Sequence, residues 1–377
     1  MSFNPIEVVR KHIELKEQYE RSLTDESKEK AVRDPHSRRK PRYCGLTVHF
    51  AIGGCPFRCS YCYIYDMGFR HTASPYPLDP KELAYALLSN RNFMSGKHGT
   101  LIAVGSITEP FLFEEKTLEF LRELSRLGNP IQFSTKKYIG KTLANALANI
   151  SSRLSPLITI VTFELSNILE PYAPSPDKRL ETIRNLRESG LKPCLFLRPI
   201  IIGINYDEAF EVMKAAKENG AVGVVIGSFR ITYNIYLKFK DLGLDTDPIL
   251  RRIDPKKLRK NPGKQYTVAL RRKEKLELVN FARKIGLIPF LSACCANSYI
   301  SSVICPSICF ETSFCTRCPN NCMDKERPRT NLVVSALDML NIRLDLVEKE
   351  GKILLRNGDY APLVQVLSRR LTLPRRL

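Results

Sequence analysis

The sequence has no long apolar run and no export-like beginning. No stretch of about 18 apolar residues, the length that would mark a membrane span, occurs in the 377 residues. The segment from Met1 to Glu7 lacks the basic start and apolar run of a signal peptide. Internal repeats and low-complexity tracts are also absent, which excludes a repeat protein. These absences predict a cytoplasmic protein that does not enter a membrane.

Acidic residues are scarce relative to basic ones. The chain has 59 Lys and Arg against 39 Asp and Glu, a formal net charge of +20. The excess is concentrated in residues 229–275, with fourteen Lys and Arg against five Asp and Glu, and it recurs in the tail at 369–376. A surplus of this kind favours a polyanionic partner such as nucleic acid. The alternative is a solvated charged surface.

Cysteine is abundant, with 12 residues in a chain that has no export signal. This usage indicates metal or redox chemistry in a reducing compartment rather than disulfides. Cys55, Cys59 and Cys62 are separated by three and then two residues, which is one thiolate fewer than a four-iron cube requires. A cube held by three thiolates keeps one iron open to a small molecule. The alternatives are a zinc knuckle, which usually needs four ligands in paired units, or a disulfide pattern.

From residue 46, apolar strands alternate with amphipathic helices, the pattern of a parallel α/β sheet. The predicted strands are 46–52, 100–104, 131–134, 157–163, 194–200 and 222–226. The predicted helices are 80–89, 115–127, 140–149, 176–189 and 206–219. Six such units predict a (β/α)6 partial TIM barrel, and Cys55 then follows the first strand, at the end where active sites gather.

Composition divides the chain into five predicted segments. A helical, basic lead-in precedes the barrel, and a basic insert with a closing helix and strand follows it. A cysteine-rich extension and a helical basic tail complete the chain. The predicted boundaries are 1–43, 44–228, 229–292, 293–325 and 326–377.

The cysteine spacing, with Tyr61 directly before Cys62, resembles the radical S-adenosylmethionine (SAM) superfamily. Further segments resemble its spore photoproduct lyase-like group, also described as DNA repair photolyase-like, over about residues 44–230. These segments are 105–110, 134–137, 164–171, 173–183 and 198–203. The resemblance implies a radical SAM core that binds a 4Fe-4S cluster and SAM. It also implies reductive SAM cleavage to a 5′-deoxyadenosyl radical, with electrons from a donor such as ferredoxin or flavodoxin.

The resemblance and the charge together predict a nucleic-acid or nucleotide-like substrate. One alternative is radical modification of a protein or small molecule, aided by an auxiliary iron–sulfur cluster. Another is a non-catalytic iron–sulfur protein. The loop at 104–109 contains no thiol, whereas spore photoproduct lyase uses a hydrogen-donating cysteine in the corresponding loop. Repair by the lyase's own route is therefore not expected.

Polar residues after the predicted strands are candidates for SAM binding. Hydroxyl and carboxylate groups can bind the ammonium of SAM, and basic groups can bind its carboxylate. The pair at 166–167 can bind its ribose. The candidates are Ser106, Thr108, Glu109, Lys136, Arg198, Ser166 and Asn167. For each, the alternative is a helix cap or a surface ion pair. By resemblance, Tyr61 and Tyr63 are candidate catalytic residues that relay a radical, the alternative being packing beside the cluster.

A second group of cysteines lies near the carboxyl end. Cys294 and Cys295 are adjacent, and five more follow within about thirty residues among prolines and asparagines, which indicates a loop-rich metal module. The predicted ligands are Cys305, Cys309, Cys315, Cys318 and Cys322. An auxiliary iron–sulfur cluster is the favoured interpretation and a zinc site the alternative.

Overall fold

A computed structural model describes residues 3–41, 45–305, 315, 317–322, 326–355, 358–370 and 372–374. Its strands, in chain order, are β1 Leu46–Val48, β2 Ala51–Ile52, β3 Ser74–Pro75, β4 Ile102–Val104, β5 Ile131–Thr135, β6 Ser155–Thr159, β7 Cys194–Ile200, β8 Gly223–Ile231, β9 Tyr266–Val268, β10 Ile288–Phe290, β11 Leu346–Lys349, β12 Lys352–Leu355 and β13 Thr372–Pro374.

The α-helices in the same residues are numbered separately along the chain. They are α1 Pro5–Ser22, α2 Asp25–Arg33, α3 Pro80–Leu88, α4 Glu114–Arg126, α5 Lys141–Ile150, α6 Ser166–Leu169, α7 Pro176–Glu188, α8 Ala209–Glu218, α9 Tyr233–Asp241, α10 Asp247–Leu250, α11 Pro255–Lys260, α12 Arg272–Lys284, α13 Ala293–Ile300, α14 Thr330–Asp338 and α15 Ala361–Ser368. No described helix is long and apolar enough to span a bilayer.

The main sheet has the order β1-β4-β5-β6-β7-β8-β10, with parallel pairing along that path and β9 antiparallel to β8. Because side chains alternate along a strand, each strand presents one face to the helices and one to the lumen. In β5, Ile131 and Phe133 join the apolar core under the helices, whereas Gln132 and Ser134 line a cavity. The predicted α/β partial-barrel fold is confirmed.

Several parts of the sheet differ from the sequence prediction, and one of them is β6, which covers Ser155–Thr159 rather than 157–163. The predicted strand 46–52 is split at His49 and Phe50, and β2 leaves the main sheet to pair antiparallel with β3. The parallel sheet also includes a seventh strand, β10, which pairs with β8 and lies in the segment predicted to contain a closing helix and strand. This strand has only three residues and contains Pro289, so its local signal is weak.

The insert after the barrel is built on a long strand. β8 extends to Ile231, and there β9 pairs with it. Phe229, Phe239 and Leu258 of this region share an apolar core with Phe57, which lies in the cysteine segment. The basic insert is thus packed against the cysteines that follow β2.

The amino-terminal helix and the tail share a further apolar core. Val9 of α1 packs with Val333 of α14 and Leu363 of α15. A small sheet of β11, β12 and β13 contributes Ile353 to the same core. The predicted segment boundaries remain predictions.

Candidate functional site

The three clustered cysteines lie on residues 53–70, here called the cysteine loop. The Arg70 amide donates to the Gly53 carbonyl oxygen at 2.8 Å, and the Cys55 amide donates to the Arg70 carbonyl at 3.2 Å. A Cβ at Gly54 would lie 1.7 Å from that Arg70 oxygen. Only glycine allows this close approach, so the Gly53-Gly54 pair sets the closure of the loop.

Hydrogen bonds inside the loop orient the cysteines. The Tyr65 hydroxyl donates to the Cys55 carbonyl at 2.9 Å, and the Cys62 amide donates to the Cys59 carbonyl at 3.0 Å. Cys59 is buried, and Cys55 and Cys62 are partly buried. The loop therefore fixes three thiols at the border of the interior.

Burial determines the protonation of these thiols in the protein alone. It raises the pKa of Cys55 and Cys62, and it raises the pKa of Cys59 to about 12. The ammonium of Lys136 acts in the opposite direction on all three. Bound metal would supply the additional positive charge that converts them to thiolate ligands.

A cavity of about 150 Å³ opens between the cysteine loop and the carboxyl ends of β4, β5 and β7. It gathers the three cysteines, both candidate tyrosines and five of the seven candidate SAM-binding residues. Those five are Ser106, Thr108, Glu109, Lys136 and Arg198. The structure does not bring Ser166 and Asn167 to the cavity walls. Ser166 begins α6 and donates to the Phe163 carbonyl at 2.9 Å, and Asn167 is exposed.

Glu109 joins two of the loops at the cavity. Its carboxylate accepts from the Thr135 hydroxyl at 2.6 Å and from the Lys136 amide at 3.0 Å. Burial raises its pKa, although these hydrogen bonds act in the opposite direction. Glu109 thus holds the end of β5 against the loop after β4.

Arg198 lies across Gly227 on the neighbouring strand β8. A Cβ at Gly227 would lie 2.6 Å from Arg198 Cδ, so the glycine provides the space for this side chain. Arg198 lines both the first cavity and an adjoining one.

A buried ionic network behind the cysteines was missed from the sequence. Glu170 accepts hydrogen bonds from the Tyr61 hydroxyl and from Arg179, and Lys136 Nζ lies 3.8 Å from its Oε1. Arg179 also donates to the Thr159 carbonyl at 2.9 Å. Because Tyr61 is 7% exposed and bonded to Glu170, its hydroxyl anchors the loop. Glu170 lies in the segment 164–171 and Arg179 in the segment 173–183, and the resemblance of these two segments to the family was the only indication of their importance in the sequence.

The adjoining cavity, of about 250 Å³, reaches into the barrel lumen. Its walls include Tyr63, Gln132, Arg198, Ser228 and Arg230. Gln132 is 5% exposed, and its Oε1 atom has no hydrogen-bond partner among the described residues. A buried acceptor without a partner is costly unless a ligand supplies a donor. The only signal in the sequence was a polar residue inside an apolar strand.

The carboxyl-terminal cysteines lie elsewhere in the fold. Cys305 is buried in the same small apolar cluster as Cys294 of α13, whereas Cys315, Cys318 and Cys322 are partly buried. Cys309 lies outside the described residues. No three Cys, His, Asp or Glu side chains of the described chain are close enough to hold a single metal ion.

The cysteine loop nevertheless fits a four-iron cube. A cube distributes its ligands over different irons, so the thiolates stand farther apart than around one ion. Cys55, Cys59 and Cys62 line one cavity with a buried cation beside them, and that cavity continues toward Arg198. The donor set suits a three-thiolate cluster with space for a small molecule beside it.

The sequence model of the Radical SAM superfamily matches residues 51–216. Two curated relatives are the uncharacterized protein ORF301 of Acidianus two-tailed virus and the uncharacterized protein MJ0683 of Methanocaldococcus jannaschii. The first is 25% identical over 171 residues, covering 41% of this chain and 56% of the viral protein. The second is 28% identical over 155 residues, covering 39% of this chain and 58% of the relative. The chain thus spans little more than half the length of each.

Solved structures of spore photoproduct lyase share the fold. The complex with dinucleoside spore photoproduct has a TM-score of 0.51 at 17% identity, covering 67% of this chain and 77% of that one. A variant with bound AdoMet and the same dinucleoside has a TM-score of 0.50 at 17% identity, with the same coverage. At 17% identity, this similarity shows only that the folds are alike.

Proposed function

We propose that this protein is an enzyme that cleaves SAM reductively and acts on a nucleic-acid or nucleotide-like substrate, because the sequence model of the Radical SAM superfamily matches residues 51–216. Cys55, Cys59 and Cys62 hold a 4Fe-4S cluster, as their shared cavity supports. When bound, the cluster supplies the electron that converts SAM into methionine and a 5′-deoxyadenosyl radical. An external donor such as ferredoxin or flavodoxin delivers that electron.

The chain's own residues bind and orient SAM. Lys136 and Arg198 provide positive charge for its carboxylate, and Ser106 and Thr108 provide hydroxyls at the same cavity. Glu109 already accepts three hydrogen bonds from the chain, from the Thr135 hydroxyl and from the Lys136 and Phe111 amides, so its first role is to keep the β5 end in position. Burial of the cysteines excludes water from the reacting region.

The lumen cavity supports the nucleotide part of the proposal. Gln132 presents an unpaired carbonyl oxygen there, and Arg230 provides a cation for a phosphate. An amide that accepts from an exocyclic amine is a common means of reading a base edge. The fold shared with a lyase solved in complex with a dinucleoside is in agreement with this substrate class.

The basic insert supports a polyanion at the same end of the barrel. Lys256, Lys257, Arg259 and Lys260 are exposed, and none forms an ion pair with a described residue. Asp66 of the cysteine loop accepts from Thr232 at 2.5 Å and from Asn234 at 2.8 Å. These bonds join the insert to the loop that carries the cysteines.

Anaerobic reconstitution tests the activity. Protein loaded with iron and sulfide should release 5′-deoxyadenosine from SAM when dithionite is added. Cys59→Ala should abolish this product, whereas Cys194→Ala, which removes a buried thiol from β7, should retain it. Undiminished product from Cys59→Ala would overturn the assignment of the cluster.

A further inference from the structure

Arg369, at the end of α15, is a buried cation without an acidic partner among the described residues. It is 1% exposed. Its guanidinium donates to the Ile304 carbonyl at 3.0 Å and to the His98 carbonyl, and it lies 5.0 Å from the centre of the Phe3 ring. No carboxylate of the described residues forms an ion pair with it. Buried charges are normally paired, as Arg179 is with Glu170, because removing an ion from water is costly.

One of the carbonyl groups that Arg369 contacts belongs to the residue before a cysteine. Ile304, which accepts from Arg369, directly precedes Cys305, and Cys305 shares a small buried cluster with Cys294. An anion at the cysteines would therefore compensate the buried positive charge of Arg369.

A second, independent observation concerns Asn320. Its side-chain amide is 6% exposed and donates to the Cys322 sulfur at 2.9 Å and to the Val303 carbonyl at 3.4 Å. Amide donors to sulfur are a recurrent feature around metal-bound thiolates, where they stabilise the negative sulfur. This contact joins the 303–305 segment to Cys322.

More cysteines lie around the same place. The Cys318 amide donates to the Cys315 carbonyl at 3.0 Å, so these two residues lie in one turn next to Asn320. Cys295 adjoins Cys294, which belongs to the same buried cluster as Cys305. Arg327 links the parts by donating to the Arg369 carbonyl at 3.2 Å and to the Cys322 carbonyl at 3.4 Å. Cysteines from α13, from 303–305 and from 315–322 thus face a common region with arginines around it.

We propose that these carboxyl-terminal cysteines hold a metal–thiolate centre separate from the cysteine loop, and that Arg369 is its buried counter-charge. The ligands come from Cys295, Cys305, Cys315, Cys318 and Cys322. Four thiolates carry more negative charge than the iron–sulfide core of a cube neutralises, so the centre is an anion. The cation and the anionic centre would then compensate each other in the interior.

The centre is tested apart from the SAM site. A full-length Cys55/Cys59/Cys62→Ala protein is reconstituted in parallel with Fe²⁺ plus sulfide and with Zn²⁺, and bound metal and sulfide are counted. This protein is expected to retain one centre per chain, and adding Cys305→Ala is expected to remove it. A triple variant that binds neither metal would overturn the proposal while leaving SAM cleavage by the native protein unaffected.

The role of Arg369 is tested in the same background. Arg369→Met should release metal to a chelator about tenfold faster, the lower end of the usual effect of a residue next to metal ligands. Arg370→Met is the matched control, because Arg370 contacts the Pro328 carbonyl and Glu348 instead. Arg369→Lys keeps the charge and should restore most of the retention. Equal release from Arg369→Met and Arg370→Met would exclude the counter-charge role.

Discussion

The Tyr61 hydroxyl donates a buried hydrogen bond to Glu170, a residue 109 positions away in the chain. The backbone strengthens the same connection, since the Ser60 amide donates to the Leu169 carbonyl at 2.8 Å and the Ser60 hydroxyl donates to the Ile168 carbonyl at 2.6 Å. The cysteine loop is thus attached to the segment after β6. Through Glu170, this attachment also reaches Arg179 and Lys136.

Glu170→Ala should destabilise the protein strongly. It leaves Arg179 and Lys136 as buried cations without their shared carboxylate, and loss of one partner from a buried ion pair costs about 3–5 kcal/mol. Anaerobic urea unfolding measures this change. Glu164→Ala, at an exposed position of the same segment, should change stability by about 0.5 kcal/mol or less. Similar stabilities for the two variants would contradict the role given to Glu170.

The sequence predicts that Tyr61 and Tyr63 relay a radical. Because Tyr61 also belongs to the buried network around Glu170, a variant of Tyr61 can distinguish a relay from an anchor of the loop. Tyr61→Phe removes a hydroxyl that donates to a buried carboxylate, so unfolding should become easier by about 1.5–3 kcal/mol. If Tyr61 only anchors the loop, the variant should still form 5′-deoxyadenosine and turn over substrate. Deoxyadenosine formation without turnover would instead support the relay.

The sequence predicts the barrel well because its strands and helices have clear periodicities. Strand β7 matches its prediction over 194–200, and α7 differs only at its last residue. Contacts between distant segments have no such local signal. Glu170 gains its role only when the segment after β6 lies beside the cysteine loop, and Gln132 gains its role only when β5 lines the lumen. The short β10 lacks a local pattern of its own.

Gln132→Leu should weaken substrate binding without weakening SAM cleavage. Leucine has a similar size but cannot accept a hydrogen bond, and the unpaired Oε1 faces the lumen cavity rather than the cysteine loop. Removing a hydrogen bond to a neutral donor corresponds to about 1 kcal/mol, or roughly fivefold in affinity. Binding of oligonucleotides and deoxyadenosine yield without substrate are the two measurements. Equal affinity of native and variant protein would remove Gln132 from the binding site.

Because His12 is buried with a lowered pKa, we expect the protein to lose stability in acid. The Ser95 amide donates to His12 Nδ1 at 3.2 Å, so this nitrogen must carry no proton. Burial, aided by Lys16, lowers the pKa of His12 from 6.5 to about 4. The unfolded chain therefore binds more protons between these values, and stability falls as the pH decreases from 6.5 to 4, by about 3 kcal/mol.

Urea unfolding at several pH values checks this dependence. His12→Gln should flatten the curve in that range, although His49, whose pKa burial lowers to about 3, will retain part of it. His71→Gln, at an exposed position, should leave the curve unchanged. A variant curve parallel to the native one would show that His12 is not the responsible group.

The basic insert should hold a polyanion through α11. Leu258 is buried and fixes the helix, while Lys256, Lys257, Arg259 and Lys260 remain exposed with no carboxylate of the described residues beside them. If they neutralise phosphates, binding of single- or double-stranded nucleic acid should weaken steeply with salt. Replacing all four by Gln should reduce the slope of log affinity against log salt by about one for each phosphate that the variant no longer neutralises.

A matched control removes four exposed basic residues from the amino-terminal helices: Arg10, Lys11, Arg21 and Arg33. Three of these already face a glutamate one helical turn earlier, so their charge is locally compensated. The control protein should keep the native salt slope, and neither variant should lose deoxyadenosine formation, because α11 and the cysteine loop are different segments. An unchanged slope in the α11 variant would show that these basic residues form a solvated surface that does not bind phosphate. Modification of a protein or small molecule would then become the better-supported function.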